Sequence, residues 1–401
     1  MGTPSRFHVV VAVTGVAFGM TFPYVPLLAG QLGAAAGLAG LITAANAPAV
    51  LAVDVFGTGI LPHLGGRVVL VAGLVSFGLG SALAACPFGL GVLLVSRLLE
   101  GIGLALFMSG ALYLVVRTTD AAGRARALGR FNAHWFLGIA VGPLLGGLIA
   151  QTSTGATGYR RAFAACAVVS FTAALLTRVA IDPYPSSGSL TFTLPDLRGL
   201  RDPRLSGAVL LGGFGEAVRD SLAGILLPLA AVSAGLTNAA IGIVLTALAV
   251  ADVISMQLSG VLADRYGRSR PLIVTLVVAA GFSFYAATAD STEDLLVIAV
   301  ALGLTLGSAW IIPPVMVVDL AGGDSDDGDL HTRRAVAAYR ICADIGLFVG
   351  LFGGGLVVGW VGALPAFVVF GGFLLAGALL TAAIGDTRRT ALAPASVPAE
   401  L

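Results

Sequence analysis

Apolar runs recur along the whole sequence, each about as long as the ~20 residues that one helix needs to cross a hydrocarbon core about 30 Å thick. Clusters of Arg, Asp, Pro and Gly interrupt these runs. Hydrophobic residues make up 57% of the chain and charged residues 11%, whereas soluble domains average about 45–50% apolar and about 25% charged residues. The sequence therefore predicts an all-α integral membrane protein.

Twelve membrane-spanning helices are predicted from these runs. They cover residues 8–29, 38–61, 67–86, 89–116, 128–151, 159–180, 206–231, 239–262, 270–288, 293–320, 335–358 and 362–384. A polar stretch rich in Pro, Ser and Gly separates the first six from the last six. We expect residues 1–180 to form one six-helix bundle, residues 181–204 a cytoplasmic linker, and residues 205–401 a second six-helix bundle with a short cytoplasmic tail.

The arginines indicate the orientation, because cytoplasmic loops of membrane proteins retain positive charge. With the N terminus inside, seventeen arginines fall in cytoplasmic segments and two, Arg160 and Arg161, in external loops. Three more, Arg97, Arg219 and Arg340, lie inside spans. The distribution predicts a multi-pass protein of the cell's inner (plasma) membrane with both termini in the cytoplasm.

Several other classes of protein are disfavoured by the sequence. A net charge of +1 and dispersed arginines argue against a nucleic-acid partner, which needs a clustered basic surface. Cys86, Cys166 and Cys342 show neither metal nor disulfide spacing, and the acidic stretch 322–331 lacks the alternation of a calcium loop. No protease, lipase or ATP-binding motif occurs, so we expect no enzyme, no metal and no cofactor.

The two halves of the sequence are related by an internal repeat. A shift of 202 residues superposes the first two spans on the seventh and eighth, and after a gap of six residues the fifth span matches the eleventh. The matched pairs are Pro26 and Pro228, Gly33 and Gly235, Gly40 and Gly242, Gly65 and Gly267, Gly138 and Gly346, Gly142 and Gly350, Gly146 and Gly354, and Gly147 and Gly355. Parallel repeats place a shared cavity between the halves near the midplane, which rocking exposes to each side in turn.

Three short motifs carry a resemblance to one family of transporters. "GVLADRYGRSR" begins at Gly260 after the eighth span, "RLLEGIG" at Arg97 in the fourth span, and "GIAVGPLLGG" at Gly138 in the fifth. The first two are similar to the signature cytoplasmic loop and the fourth-helix motif of the major facilitator superfamily. The third resembles the fifth-helix motif that is typical of the drug:proton antiporter branch of that superfamily. The resemblance covers essentially the whole chain and implies two six-helix bundles and an exporter. The acidic and Pro-rich loop signatures of the sugar porters are absent.

The motif that begins at Gly260 is expected to latch the cytoplasmic side shut. Glycines suit a tight turn, arginines suit the inner membrane surface, and Asp264 can meet the positive end of a neighbouring helix. The resemblance implies that this loop reaches the other half, so Asp264 is expected near the start of the fifth span and Arg130. In the first-half copy of the loop, Pro62 and His63 replace the acid and the first arginine. The two loops are therefore expected to contribute unequally to gating. The gating set is Gly260, Asp264, Arg265, Gly267, Arg268 and Arg130.

The fifth-helix motif predicts a close helix contact. Gly138, Gly142 and Gly146 recur every four residues and form a flat strip on one helix face, with Gly147 beside it, while Pro143 removes a backbone hydrogen bond and permits a bend. Such a strip lets a neighbouring helix touch the backbone. We interpret it as a hinge and seal at the contact between halves, although simple packing accounts for the same glycines.

Charges inside the spans are the strongest guide to chemistry, because each costs about 2.5–3.5 kcal/mol at the bilayer centre. Glu216, Arg219 and Asp220 cluster within about one turn near the middle of the seventh span. Two carboxylates share one guanidinium, so one of them is left to gain and lose a proton. The alternative is a salt-bridge network, within this helix or with partners on other spans.

Two further pairs have helical spacing. Arg97 with Glu100, and Arg340 with Asp344, lie three and four residues apart on common helix faces and can neutralise each other. For Arg97 the resemblance implies help with proton transfer, so a functional role and a structural role both remain alternatives for this pair. For the Arg340 pair we favour a structural role.

Asp54 and Asp252 have no basic neighbour one helical turn away. Either acid is a candidate second proton site, or a partner for Arg219 or Arg340. Asp54 falls nearer the cytoplasmic end of its span, so support of the latch is an equal alternative for it.

Aromatic and charged residues on the expected cavity helices are candidates for substrate contact. Aromatic rings bind large amphipathic or cationic molecules by stacking and cation–π contact, although most aromatics in any helix bundle are packing residues. The candidates are Phe18, Phe22, Tyr24, Phe107, His134, Trp135, Trp310, Arg340 and Asp344.

The sequence as a whole favours a proton-coupled exporter that works by alternating access. A small-molecule substrate would bind between the halves from the inside, and a proton entering from outside would displace it at Glu216 or Asp220. A symporter or facilitator of one metabolite is the first alternative. A membrane receptor or scaffold that transports nothing is the second, and the charges retained inside the spans argue against it.

Overall fold

The computed structural model describes residues 5–86, 88–120, 123–182, 202–289, 291–322 and 326–388. This part of the chain is helical, contains no strand, and has one helical rod at each of the twelve predicted spans. In the first half, α1 comprises Ser5–Thr21, the 3-10 turn Phe22–Tyr24 and Val25–Gln31; α2 comprises Ala36–Ala44 and Asn46–Leu64; α3 is Gly66–Ala85, α4 is Leu90–Thr118, α5 is Arg124–Ala150 and α6 is Gly155–Ala180. In the second half, α7 comprises Pro203–Ser221, the π-helical turn Leu222–Leu226 and Leu227–Ser233; α8 is Asn238–Tyr266, α9 is Ser269–Ala286, α10 is Thr292–Ala321, α11 is Asp326–Val361 and α12 is Ala363–Ile384.

Some of the sequence features fall outside this description. Most of the predicted linker, residues 183–201, and the tail at 389–401 lie outside the described residues. The same holds for residues 323–325 of the acidic stretch and for the side chains of Pro62 and His63.

Eleven of the twelve rods are long and apolar enough to cross a membrane, and α7 is the exception. Glu216, Arg219 and Asp220 place three charged residues in the middle of an otherwise apolar segment of α7. The length of α7, residues 203–233, is ample for a span at 1.5 Å per residue. The exception therefore reflects buried charge and not a short helix.

The outer surface of the bundle is apolar. Large side chains such as Leu175, Val179 and Leu379 are exposed at 64%, 76% and 73%. Exposure of such a surface to water is unfavourable, whereas contact with the equally apolar lipid tails is not. The exposed apolar side chains therefore identify the face of the protein that contacts the bilayer.

Matched glycines of the repeat form equivalent turns in the two halves. Gly33 and Gly235 follow α1 and α7 with φ of 87° and 73°, and Gly65 and Gly267 follow α2 and α8 with φ of 75° and 89°. Positive φ is readily adopted only by glycine. The repeat therefore preserves glycine where the backbone requires it.

The helices group into two six-helix bundles that share most of their internal contacts. In the first, α1 packs on α5 and α6, and α3 and α4 pack on each other, with α2 on α4 and α6 on α3. In the second, α7 packs on α11 and α12, and α9 and α10 pack on each other, with α8 on α10 and α12 on α9. The bundles contact each other through α2 against α11 and through α5 against α8. These two crossings are equivalent under the repeat.

Candidate functional site

Paired glycines form the two crossings between the bundles. A Cβ atom added to Gly40 of α2 would lie 2.8 Å from the Cα of Gly355 in α11, and one added to Gly147 of α5 would lie 3.0 Å from the Cα of Gly242 in α8. Almost all real Cβ contacts are longer than this, so each crossing strongly disfavours any larger residue. Both crossings lie near the start of α2 and α8 and the end of α5 and α11, at the face predicted to be external.

Hydrogen bonds reinforce the crossing of α5 and α8. Tyr159 of α6 donates its hydroxyl to Oδ1 of Asn238 at 2.9 Å, and the amide nitrogen of Asn238 lies 3.4 Å from the carbonyl oxygen of Ala150. The backbone N–H of Ala239 donates to Oε1 of Gln151 at 3.3 Å. The N-terminal end of α8 is therefore tied to the first bundle at the same face as the glycine crossings.

Most of the glycine strip on α5 contacts its own bundle. Added Cβ atoms at Gly138, Gly142 and Gly146 would collide with the backbone of α1. The prediction that these three residues seal the contact between halves is therefore wrong; they pack α5 on α1. Gly147 and the carbonyl oxygen of Pro143 do face Gly242 in α8, because they lie on another side of the helix.

A charged cluster lies at the middle of α7, as the sequence predicted. The Nη2 atom of Arg219 is 2.5 Å from Oδ2 of Asp252 in α8, and its Nη1 atom is 3.2 Å from Oδ1 of Asp220. Glu216 interacts with Asp220 and with the indole of Trp310 in α10. Three carboxylates therefore surround one guanidinium, and we call these four residues, Glu216, Arg219, Asp220 and Asp252, the α7 cluster.

The α7 cluster is mostly buried and incompletely paired. The side chain of Arg219 is 20% exposed, and those of Asp220 and Asp252 are 11% exposed. Among the described residues, Oδ1 of Asp252 and Nε of Arg219 are buried without a hydrogen-bond partner. Buried polar atoms are normally hydrogen-bonded, so the cluster is not a completed salt-bridge network.

Arg340 pairs across the two bundles and not within its own helix. Its Nε atom is 3.2 Å from Oδ2 of Asp54 in α2, and its side chain is 61% exposed. Oδ2 of Asp344 is buried without a hydrogen-bond partner in the described structure. Arg340 and Asp344 therefore do not form the predicted direct ion pair, because the long arginine side chain reaches a partner on the neighbouring bundle; Arg340 still interacts electrostatically with Asp344.

The Arg97 and Glu100 pair forms as predicted and is sealed inside the first bundle. The two side chains are in contact and are 2% and 1% exposed. Ser81 of α3 donates to Oε1 of Glu100 at 2.8 Å and lies 3.3 Å from Sγ of Cys166 in α6. Burial on all sides favours the structural alternative for this pair.

The aromatic candidates divide into packing residues and residues near the space between the bundles. Tyr24, Phe107 and Trp135 are 0%, 1% and 8% exposed. Phe107 and Trp135 pack inside the first bundle, and the hydroxyl of Tyr24 lies at the crossing of α5 and α8 beside Gly242. The hydroxyl of Tyr24 donates to the carbonyl oxygen of Pro143 at 2.6 Å. The prediction that these three line a cavity is therefore wrong. Phe18 and Phe22 are partly exposed and stack with ring centroids 5.1 Å apart.

Trp310 contacts the first bundle through a residue that the sequence did not identify. Its ring meets Phe136 of α5 edge-on, with centroids 5.2 Å apart and an interplanar angle of 86°. Phe136 follows Trp135, and one residue turns a helix by about 100°. The residue that faces the other bundle is therefore Phe136, while Trp135 faces inward.

His134 lies on the first bundle, one turn beyond Arg130. Its Nδ1 atom is 2.7 Å from the carbonyl oxygen of Arg130, and its ring centroid is 4.8 Å from that of His8 in α1. Its side chain is partly exposed.

The signature loop, which we define as residues 260–270, is tied to its own bundle in this conformation. The Nη1 atom of Arg268 is 2.5 Å from Oδ1 of Asp264, and its Nε atom is 3.0 Å from Oδ2 of Asp319 in α10. Asp264 is 77% exposed, and the expected contact with Arg130 is not formed. A contact between Asp264 and the first bundle stays a prediction for the opposite conformation.

Of two other members of the gating set, Gly260 differs from the expected turn. Gly260 lies inside α8 with open space around it, so only Gly267 turns the chain. Arg265 is exposed and lies over the ring of Tyr266 at 5.4 Å.

Comparisons with known proteins agree with this architecture. Residues 7–214 and 205–399 each match the Major Facilitator Superfamily. The quinolone resistance protein NorA of Staphylococcus aureus (strain MRSA252) is 26% identical over 147 residues, which span 37% of this chain and only 37% of NorA. The chloramphenicol resistance protein of Streptomyces lividans is 27% identical over 397 residues, which span 96% of this chain and 97% of that protein.

Solved structures share the fold at low sequence identity. A bacterial homologue of the human lysosomal transporter Spinster, in an inward-facing and occupied conformation, superposes with a TM-score of 0.78 at 14% identity and covers 94% of this chain and 95% of its own. The nucleoside transporter NupG superposes with a TM-score of 0.76 at 12% identity, and the match covers 96% of this chain and 99% of NupG. With two matches that together cover almost the whole sequence, the chain belongs to the Major Facilitator Superfamily of membrane transporters.

Proposed function

We propose that the chain is a proton-coupled exporter of small molecules that works by alternating access in the cell's inner (plasma) membrane, with both termini in the cytoplasm. The α7 cluster is the observation that carries this proposal. Its three carboxylates and one guanidinium have a net charge of −2 when all four are ionised. An uncompensated carboxylate in a buried site is costly, and a bound proton removes that cost.

Glu216 and Asp220 are the proposed proton carriers. Asp252 and Asp220 are held by the guanidinium of Arg219, whereas Glu216 contacts Asp220 and the indole of Trp310. Two neighbouring carboxylates readily share one proton, because two like charges in contact repel. A cationic or polar substrate that approaches this pair competes with the proton, so the affinities for substrate and proton are reciprocally linked.

Rocking of residues 1–180 against residues 205–401 would expose the α7 cluster to each side in turn. The glycine crossings and the contacts of Asn238 close the predicted external face. Asp264 and Arg340 lie away from that face, and their side chains are 77% and 61% exposed. We assign this conformation as closed to the outside and open to the inside.

The surroundings of the α7 cluster favour amphipathic or cationic aromatic substrates. Phe18, Phe22, Phe136 and Trp310 are partly exposed and offer ring faces and edges. Acidic side chains outnumber basic ones near them, which suits a cation. Two relatives are named for resistance to quinolones and to chloramphenicol, and we propose related small molecules as substrates here.

Transport in proteoliposomes tests the proposal. Purified protein is reconstituted, a pH gradient is imposed in either direction, and uptake of norfloxacin, chloramphenicol and ethidium is measured. We expect at least one probe to move against the direction of proton flow. Movement with the protons would instead identify a symporter, and probe fluxes equal to those of protein-free liposomes would contradict a drug exporter.

The ion pair between Arg340 and Asp54 is expected to tune transport without being essential to it. The side chain of Arg340 is 61% exposed, whereas that of Asp54 is 19% exposed. An ion pair with one partner in water contributes about 1 kcal/mol, so Arg340→Gln and Asp54→Asn are each expected to change the transport rate by less than about fivefold. Each single substitution already breaks the ion pair. The double variant is therefore expected to transport no more slowly than the slower of the two single variants. A double variant whose losses simply multiply would contradict a direct contact between the two side chains.

A further inference from the structure

We propose that residues 385–388, which follow α12, form a clasp that holds the signature loop in place for gating, and that Asp386 is its positioning residue. This inference rests on the proposed alternating-access function, because a gate has a role only in a protein that opens and closes. The clasp is carried by contacts that are independent of the α7 cluster.

Asp386 binds the backbone of the signature loop. Its Oδ1 atom accepts the N–H of Arg268 at 2.9 Å and the N–H of Arg388 at 3.2 Å. Ser269 donates its hydroxyl to the carbonyl oxygen of Gly385 at 2.5 Å. Partial burial disfavours the charged form of Asp386, but the N–H donors of Arg268, Arg388 and Thr387 outweigh it and lower the pKa of this carboxyl below its ordinary value.

Gly267 supplies the space that the clasp occupies. A Cβ atom added at this position would collide with the carboxylate of Asp386. The φ of 89° at Gly267 is also unfavourable for any other residue. The glycine of the motif is therefore required both by the turn and by the carboxylate that packs against it.

The clasp connects three elements of the second bundle. The Nε and Nη2 atoms of Arg204, in the first turn of α7, donate to the carbonyl oxygens of Ile384 and Asp386, both at 2.8 Å. The hydroxyl of Thr387 lies 3.4 Å from Oδ2 of Asp319, the α10 carboxylate that also binds Arg268. The end of α10, the signature loop and the start of α7 are thus joined through four residues after α12.

This arrangement leaves Asp264 available to the first bundle. Arg268 is held by Asp319 through its side chain and by Asp386 through its backbone, so it stays in place when Asp264 releases it. Asp264 is exposed and interacts with one arginine of its own bundle. A fixed loop presents this carboxylate in one position, whereas a loose loop would spread it over many and lower the probability of contact.

The equivalent place in the first half has weaker contacts. There the side chain of Arg67 reaches the carbonyl oxygens of Arg178 and Ile181 at 3.5 and 3.4 Å. Asp182, the acid that follows α6, is exposed. It therefore provides a matched control for Asp386.

Hydrogen exchange and substrate counterflow test the clasp in the full-length protein. In Asp386→Ala we expect the backbone N–H of Arg268 to exchange about tenfold faster or more, because a charged acceptor is lost. Counterflow of whichever probe the wild type carries, among norfloxacin, chloramphenicol and ethidium, is expected to fall by about tenfold, since counterflow requires gating but no net proton movement. Asp386→Asn keeps an acceptor oxygen, so its exchange rate at Arg268 and its counterflow rate are expected to be intermediate between those of Asp386→Ala and the wild type. Asp182→Ala is expected to match the wild type in both measurements.

The outcomes separate the clasp from the transport proposal. Unchanged exchange at Arg268 in Asp386→Ala would overturn the clasp, and so would faster exchange with normal counterflow. Equal losses in Asp182→Ala and Asp386→Ala would also overturn it. If the wild type carries none of the probes, the proposed function fails, while exchange at Arg268 still reports on the anchoring of the loop. If Asp386→Ala does not fold, Asp386→Asn gives the same two measurements.

Discussion

Replacement of Arg219 by glutamine is expected to abolish gradient-driven transport and to destabilise the protein by about 3–5 kcal/mol, the usual cost of removing one partner from a buried ion pair. The arginine is the cation in contact with Asp220 and Asp252, and both carboxylates are 11% exposed. Without it, three acids would remain close together in a buried site. Thermal or denaturant unfolding in detergent measures the change in the free energy of unfolding, and proteoliposome uptake measures transport.

A second variant separates charge imbalance from a general loss of packing. Arg219→Gln combined with Asp252→Asn removes one charge of each sign and is expected to recover part of the lost stability, but not transport. Arg340→Gln is the matched control, since that arginine is 61% exposed and its loss is expected to cost no more than about 1 kcal/mol. Equal stability of Arg219→Gln and the wild type would show that the α7 cluster does not depend on its cation.

Substitution of Gly355 by alanine is expected to prevent the external face from closing. The added Cβ would lie 2.7 Å from the Cα of Gly40 and 2.6 Å from the carbonyl oxygen of Ala36. Overpacking of this kind costs about 1–3 kcal/mol, which corresponds to a shift of about 5–150-fold away from the conformation that contains the contact. Labelling of an introduced cysteine at Ala36 from the outside is expected to speed up, and transport to slow down.

Gly353 provides the control for this prediction. It lies in the same helix two residues before Gly355, and a Cβ added there would meet no atom within 4 Å. Gly353→Ala is therefore expected to label and transport as the wild type does. If the two alanine variants behave alike, the effect of Gly355→Ala would arise from helix propensity or folding and not from the crossing of α2 and α11.

Lengths, periodicities and backbone requirements could be predicted from the sequence because they are properties of single helices and turns. A run of ~20 apolar residues crosses a bilayer whatever its neighbours are, and positive φ at Gly33 or Gly267 requires glycine in any context. Three members of the α7 cluster were also predictable, since Glu216, Arg219 and Asp220 lie within about one turn of the same helix. The fourth, Asp252, lies on α8, and the sequence left its partner open between Arg219 and Arg340.

Contacts between helices could not be predicted in the same way, because they depend on how each helix is rotated. A step of one residue turns a helix by about 100°, which is enough to direct Gly146 to α1 and Gly147 to α8, or Trp135 into the bundle and Phe136 to Trp310. The partner of Arg340 lies on another bundle, 286 residues away in the chain. Helical spacing favoured Asp344, which is near in sequence, over Asp54, which is near in space.

The central claim is that Glu216 and Asp220 carry the proton that drives transport. Substrate counterflow and accumulation driven by a pH gradient, compared in the same proteoliposomes, test it most directly with Glu216→Gln and Asp220→Asn. We predict that at least one variant retains counterflow, which moves no net protons, and loses gradient-driven accumulation. Accumulation equal to that of the wild type in both variants would contradict the account.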